Sequence, residues 1–291
     1  MITRRQFAFG AVASAAFAGP RDLARAAEPL AVAFARIENE ARGRLGVAVL
    51  DTQTGIRSDH RGSERFPMCS TFKLLAAAAI LRRVDEGTER LDRRIRFDAR
   101  DLVTYSPVTE KHTADGMTLA ELCDAAVTLS DNAAGNLLLL AALGGPAGIT
   151  AFARSLGDPV TQLDRIEPEL NEAKPGDPRD TTSPAAMTAN LRALLVGDAL
   201  SAASRAQLTA WLAANKTGDT RLRARLPAGW RVGDKTGTGG NGSNNDVGVL
   251  WPPGRAPILV SAYLTETAVP PEQRNAAIAA VGQAVAQALG N

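Results

Sequence analysis

Cys69-Ser70-Thr71-Phe72-Lys73, running straight into the apolar stretch 74–81, is the segment around which this chain is organised. A serine where a helix begins, with a lysine three residues on, puts two side chains on one face, one turn apart. A serine hydroxyl is a poor nucleophile until a neighbouring base or relay takes its proton, and a lysine at this spacing can touch it. Backbone N–H groups at the helix start can also stabilise negative charge developing there. Alone, the pattern is better explained as a helix cap with a solvated lysine. Its meaning depends on the rest of the chain.

The 291 residues suffice for one large domain or two intertwined ones. Aromatics are scarce, so small, closely packed Ala, Leu, Val and Gly must build the core. Residues 1–26 read as an export signal. Thr3-Arg4-Arg5-Gln6-Phe7 is a twin-arginine signature, the apolar run 8–18 is too short to span a bilayer, and Ala24-Arg25-Ala26 offers a cleavage site. Without those residues the balance is 29 basic against 30 acidic groups, where the whole chain carries +2. Neither nucleic acid nor an acidic membrane surface is therefore expected as a partner. The expectation is a periplasmic or secreted monomer, free of the membrane after processing. Cys69 and Cys123 are too few for a disulfide framework. His60 and His112, expected at the surface, have no second ligand at metal spacing, so no metal or other cofactor is expected. Nor does either suit a Ser-His-Asp triad.

Apolar spacing predicts helices over residues 28–42, 70–87, 118–129, 133–143, 146–157, 183 onward, 201–214 and 271–289. Runs of strand character cover 45–50, 56–59, 230–237, 245–251 and 258–265. Residues 158–182 lack any period and carry four prolines, and a loop of that length in a compact protein is usually functional or disordered. The economical architecture is α/β, with three layers. One antiparallel five-stranded sheet is built from N- and C-terminal segments (27–68 and 214–291) and flanked by helices. An all-helical part (69–213) is inserted, with a cleft between the two.

Two further motifs stand at plausible places. Ser130-Asp131-Asn132 breaks two helices, where a helix cap would explain it, and Lys235-Thr236-Gly237-Thr238 ends a strand, where a turn would. Ser-x-x-Lys, Ser-Asp-Asn and Lys-Thr-Gly in this order and spacing do not arise readily by chance. Together they characterise class A β-lactamases and penicillin-binding proteins.

On these residues, and on Arg165-Ile166-Glu167-Pro168-Glu169-Leu170-Asn171, the chain resembles the class A serine β-lactamases over essentially its whole mature length. The resemblance implies Ser70 as nucleophile and Lys73 as its proton partner, whether Lys73 or Glu167 acts first being open. It implies Ser130 as relay to the departing nitrogen, and Asn132 as a contact to the substrate side chain and Lys73. Residues 165–180 would be an omega loop with an Arg165–Asp180 pair and a cis Glu167–Pro168 bond, its Glu167 and Asn171 holding the deacylating water. Lys235, Thr236, Gly237 and Thr238 would receive the substrate carboxylate, the N–H groups of Ser70 and Thr238 its oxyanion, and Tyr105 would flank the mouth. Arg221 is either an added cation or an ordinary surface ion pair, and Lys235 is expected as a rim cation. Ala77 and Gly239 remove the partners that relatives bridge to Cys123 and Cys69, so both thiols should be free. The implied reaction is hydrolysis of a β-lactam through an acyl-enzyme. The alternative is a covalent penicillin sensor or slow D,D-peptidase that acylates without efficient release.

Overall fold

The structure, a computed structural model, describes residues 28–290. The twin-arginine stretch and the cleavage site expected after it lie outside the described residues. Five strands form one antiparallel sheet: β1 (Arg44–Asp51), β2 (Arg57–His60), β3 (Arg231–Thr238), β4 (Asn244–Trp251) and β5 (Ile258–Thr265). Their spatial order is β2-β1-β5-β4-β3, so the two ends of the chain share a sheet, as expected. The join is β1 on β5, with Arg44 opposite Thr265 and Asp51 opposite Ile258.

Helices cover both faces. On one, α1 (Leu30–Ala41) and the C-terminal helix (Pro271–Leu289) pack Phe34, Ile37, Ile278 and Val281 against Val47, Val260 and Leu264. On the other, Val247, Val249, Leu259 and Tyr263 meet Phe66 and Phe72. A strand covered on both sides needs no polar face, which is why β1 and β5 carry apolar residues on both faces. The central helix, α2 (Phe72–Asp85), is buried all round from Phe72 to Leu81. Its four alanines, Ala76 to Ala79, let neighbouring helices approach closely. The capping box read at Thr118 opens α3 (Leu119–Thr128), with Thr118 and Glu121 bonding each other's backbone N–H.

Two elements differ from expectation. The helix is preceded by a 3-10 turn, Cys69–Thr71, so Ser70 lies just before α2 rather than in its first turn. The helix expected over 133–143 is α4 (Asn132–Leu138) followed by a wider π-helical turn, Leu139–Leu143. There the N–H of Gly144, in the left-handed region, bonds the Leu139 carbonyl, while Arg83 takes that of Ala142. The arginine, far off in sequence, supplies the donor that the widened turn withholds.

Cys69 and Cys123 are free and buried, as expected. Burial and the Glu167 charge push the Cys69 thiol up to about 12. Denatured, unreduced protein should therefore titrate with two thiols and the native protein with none; a denatured count of zero would refute this. Among the described residues no single helix is long and apolar enough to cross a membrane, and no cluster of metal-ligating side chains occurs.

Candidate active site

The turn before α2 aims Ser70. Cys69 holds a left-handed φ of 47°, rare for a residue with a side chain and characteristic of constrained functional sites. Thr71 Oγ donates to Met68 O at 2.9 Å and locks the turn, while Met68 N–H bonds Asp180 O at 2.9 Å. Ser70 Oγ is then held between two charged groups. Lys73 Nζ donates to it at 3.0 Å, and it donates to Glu167 Oε1 at 3.0 Å.

Lys73 also reaches Ser130 O at 2.8 Å, Asn132 Oδ1 at 2.6 Å and Glu167 Oε1 at 2.9 Å. Three ammonium protons face four acceptors, so one proton must be shared between Ser70 and Glu167. Full burial lowers the Lys73 pKa, and the Glu167 charge opposes that shift. Asp131 caps α4 by accepting from Ala134 N–H at 2.8 Å, and it also takes the N–H groups of Val108 and Thr109. The cap reading of this motif is thus correct for Asp131, and its neighbours face the cleft. Asn132 holds the opposite wall, its N–H donating to Tyr105 O at 2.9 Å and its amide to Thr104 O at 2.8 Å.

Glu167 comes from the loop 165–180. Arg165 Nε meets Asp180 Oδ2 at 2.6 Å, and Asp180 also accepts the N–H groups of Asp164 and Arg165, closing the neck. The Glu167–Pro168 bond is cis. Asn171 donates through Nδ2 to Glu167 Oε2, while its Oδ1 is buried without a partner. On the far side, Lys235 Nζ donates to Ser130 Oγ at 3.0 Å, within a fully buried pocket. Close packing explains the glycines here. A Cβ on Gly237 would stand 2.7 Å from Met68 O, and one on Gly239 2.6 Å from Cys69 Sγ. The end of β3 therefore runs flush against the turn carrying Ser70.

These elements enclose a cleft of about 390 Å³ lined by Ser70, Tyr105, Ser130, Asn132, Asn171, Thr217, Arg221, Thr236, Gly237 and Thr238. A family model described as the beta-lactamase enzyme family matches residues 29–289. The chain belongs to that family. It is 54% identical over 257 residues to beta-lactamase AST-1 of Nocardia asteroides, covering 88% of this chain and 83% of the relative. It is 46% identical to beta-lactamase L2 of Stenotrophomonas maltophilia, with both chains covered fully. Among solved structures, an ancestral class A beta-lactamase superposes with a TM-score of 0.89 at 68% identity, covering 90% of this chain and all of that one. These likenesses put the chain in class A.

Within this class A fold, every cleft-lining residue except Thr217 was expected from the sequence. Thr217 was missed although its hydroxyl meets Thr236 Oγ and donates to Asn215 Oδ1 at 2.8 Å. Asn136 was missed too. Its amide clamps Glu167 on both sides, accepting the Glu167 N–H at 2.8 Å and donating to the Glu167 carbonyl at 2.9 Å. The available signal was an asparagine inside an apolar helix, one turn after Asn132, since a buried amide must find partners. Asn136→Ala should cost about 1–3 kcal/mol of stability by stranding two buried backbone groups. It should also lower kcat for a cephalosporin. Denaturant melts and steady-state rates both unchanged would show that the clamp is idle.

Two expectations need correction, and one of the two alternatives left open for Arg221 falls away. Lys235 is not a rim cation but fully buried, with burial, Lys73 and Arg221 driving its pKa well down. Arg221 is not a surface ion pair. It is 8% exposed and gives its guanidinium to Gly237 O at 2.8 Å, Asn245 O at 2.6 Å and Thr238 Oγ at 2.7 Å. His60 is half-buried, its Nε2 3.0 Å from Glu38 Oε2, because β2 lies under the end of α1.

Proposed function

We propose that this chain hydrolyses the β-lactam amide of penicillins and cephalosporins through an ester on Ser70, and so confers β-lactam resistance. One observation carries the reading: the Ser70 hydroxyl lies 3.0 Å from both an ammonium donor and a carboxylate acceptor. With Lys73 as ammonium, the Ser70 proton points to Glu167, which takes it as the oxygen attacks the strained carbonyl. The resulting oxyanion is received by the N–H groups of Ser70 and Thr238, residues that both line the cleft. Ser130, hydrogen-bonded to Lys235 and beside Lys73, passes a proton to the leaving nitrogen. Thr236, Gly237, Thr238 and Arg221 form the wall that receives the substrate carboxylate, with Lys235 buried behind it, while Asn132 and Tyr105 contact the substrate side chain.

Esterification consumes the Ser70 proton donor, and the proton that Glu167 took returns through Lys73, 2.9 Å away, to the Ser130 that gave its own to the nitrogen, so Glu167 is again a carboxylate with a free Oε1 lone pair. A water there can donate to Glu167 and to the orphaned Asn171 Oδ1, and attack the ester. That second step separates hydrolase from sensor. Purified protein given a chromogenic cephalosporin should turn over many equivalents; one burst per molecule followed by silence would favour the sensor. We further propose export by the twin-arginine route to the periplasm or medium, action as a monomer, and division into 27–68 with 214–291 and an inserted 69–213.

A further inference from the structure

Asp246 is a carboxyl with little to hold a charge. It lies on β4 opposite Thr236 of β3 and is fully buried. Its Oδ2 accepts the Leu222 N–H at 3.1 Å, and its Oδ1 has no hydrogen-bond partner. Among the described residues it forms no ion pair, whereas nearby Asp234 accepts from both Arg223 and Asn215 Nδ2. Arg221 gives its guanidinium only to neutral acceptors, the last being Asn275 Oδ1 at 3.1 Å. Among the described residues no carboxylate hydrogen-bonds that guanidinium, although Asp246 and Asp234 lie within electrostatic reach of it. Leu222 directly follows Arg221, so the Asp246 bond fixes the backbone from which Arg221 reaches the cleft.

We propose that Asp246 is a positioning residue held as a neutral carboxylic acid, fixing the backbone beside Arg221 while leaving the wall's positive charge intact for an anionic substrate. This rests on the reading of that wall as the carboxylate site. A buried ionised carboxyl with one oxygen unpaired is costly, and protonation removes the charge part of that cost. Burial and the Asp234 charge raise the Asp246 pKa well above the carboxylate range, against the opposing pull of Arg221 and Arg223. Lys235 on β3 and Tyr263 on β5 are the other titratable groups that feel it. Ionising Asp246 would subtract charge beneath the wall, so anion binding weakens as pH rises through its titration.

Two measurements on folded full-length protein decide this. The infrared difference between wild type and Asp246→Asn, without substrate at neutral pH, should show the carbonyl stretch of a protonated carboxyl; its absence overturns the proposal whether or not the protein hydrolyses β-lactams. In steady-state kinetics Asn keeps the acceptor and the neutrality, so KM for an anionic cephalosporin should stay within about twofold. Ala strands the Leu222 N–H, so KM should rise about tenfold while kcat stays within about threefold. The methyl ester of the same cephalosporin should be indifferent. An equal rise in KM for both variants, or the same rise with the ester, rejects it. If the Ala variant does not fold, the Asn variant and the infrared band suffice. A wild type that acylates without turnover would refute hydrolysis and leave the infrared result standing.

Discussion

Glu167→Ala is expected to take up one equivalent of a β-lactam and then stop. In the wild type the Ser70 proton faces Glu167, and Lys73 cannot accept it while charged. Removing the carboxylate strips Lys73 of the main charge that opposes its desolvation, so the pKa of the buried amine falls further and loss of its proton becomes easier. A neutral Lys73, already 3.0 Å from Ser70 Oγ, can then serve as base for acylation. Nothing replaces Glu167 beside the ester, because Asn171 offers the water an acceptor but no basicity. Loss of a general base at the second step should lower kcat about 10³-fold. Intact-protein mass spectrometry should show an adduct of whole-drug mass persisting for many wild-type turnover times. Normal turnover by the variant would remove Glu167 from the deacylation step. Neutralisation of Lys73 should also hold the stability loss below the ~3–5 kcal/mol typical of a broken buried pair.

Ser70→Ala should abolish both adduct and turnover, with kcat lowered about 10⁴-fold or more, as the only hydroxyl between Lys73 and Glu167 is gone. The fold should not suffer. Lys73 and Glu167 already lie 2.9 Å apart, and without the hydroxyl between them the ammonium has one acceptor fewer to divide its protons among. The melting temperature should therefore hold or rise, the usual mark of a site arranged for chemistry rather than stability. Covalent labelling of the alanine variant would place the nucleophile elsewhere. A large fall in melting temperature would show that the hydroxyl also braces the core.

The elements of the fold were legible because their signals are local or periodic. Strand β5 and the C-terminal helix fell at their expected places, since eight consecutive buried residues and a proline at a helix start mean much the same in any context. The π-helical turn after α4 was not legible, because Arg83, from another helix, supplies the donor that satisfies it. The site residues divide along the same line. Ser70, Lys73, Ser130, Asn132, Glu167 and Asn171 stood out because the chemistry tolerates few residue types at those spacings. Asn136, Thr217 and Asp246 did not, since each acts on a residue distant in sequence and is unremarkable among its neighbours.

The sequence by itself determined the order of strands and helices along the chain, the class of chemistry and the residues proposed to carry it. These follow from side-chain type and from spacing along the chain. Only the tertiary structure decided the charge environment: a lysine expected at the rim lies fully buried, and an arginine left open between an added cation and a surface ion pair braces the end of β3. Burial and partners are set by which distant segments meet. In this protein the segments that meet are residues 69–73, 130–136, 165–180 and 217–246, and no local pattern specifies the distances between them.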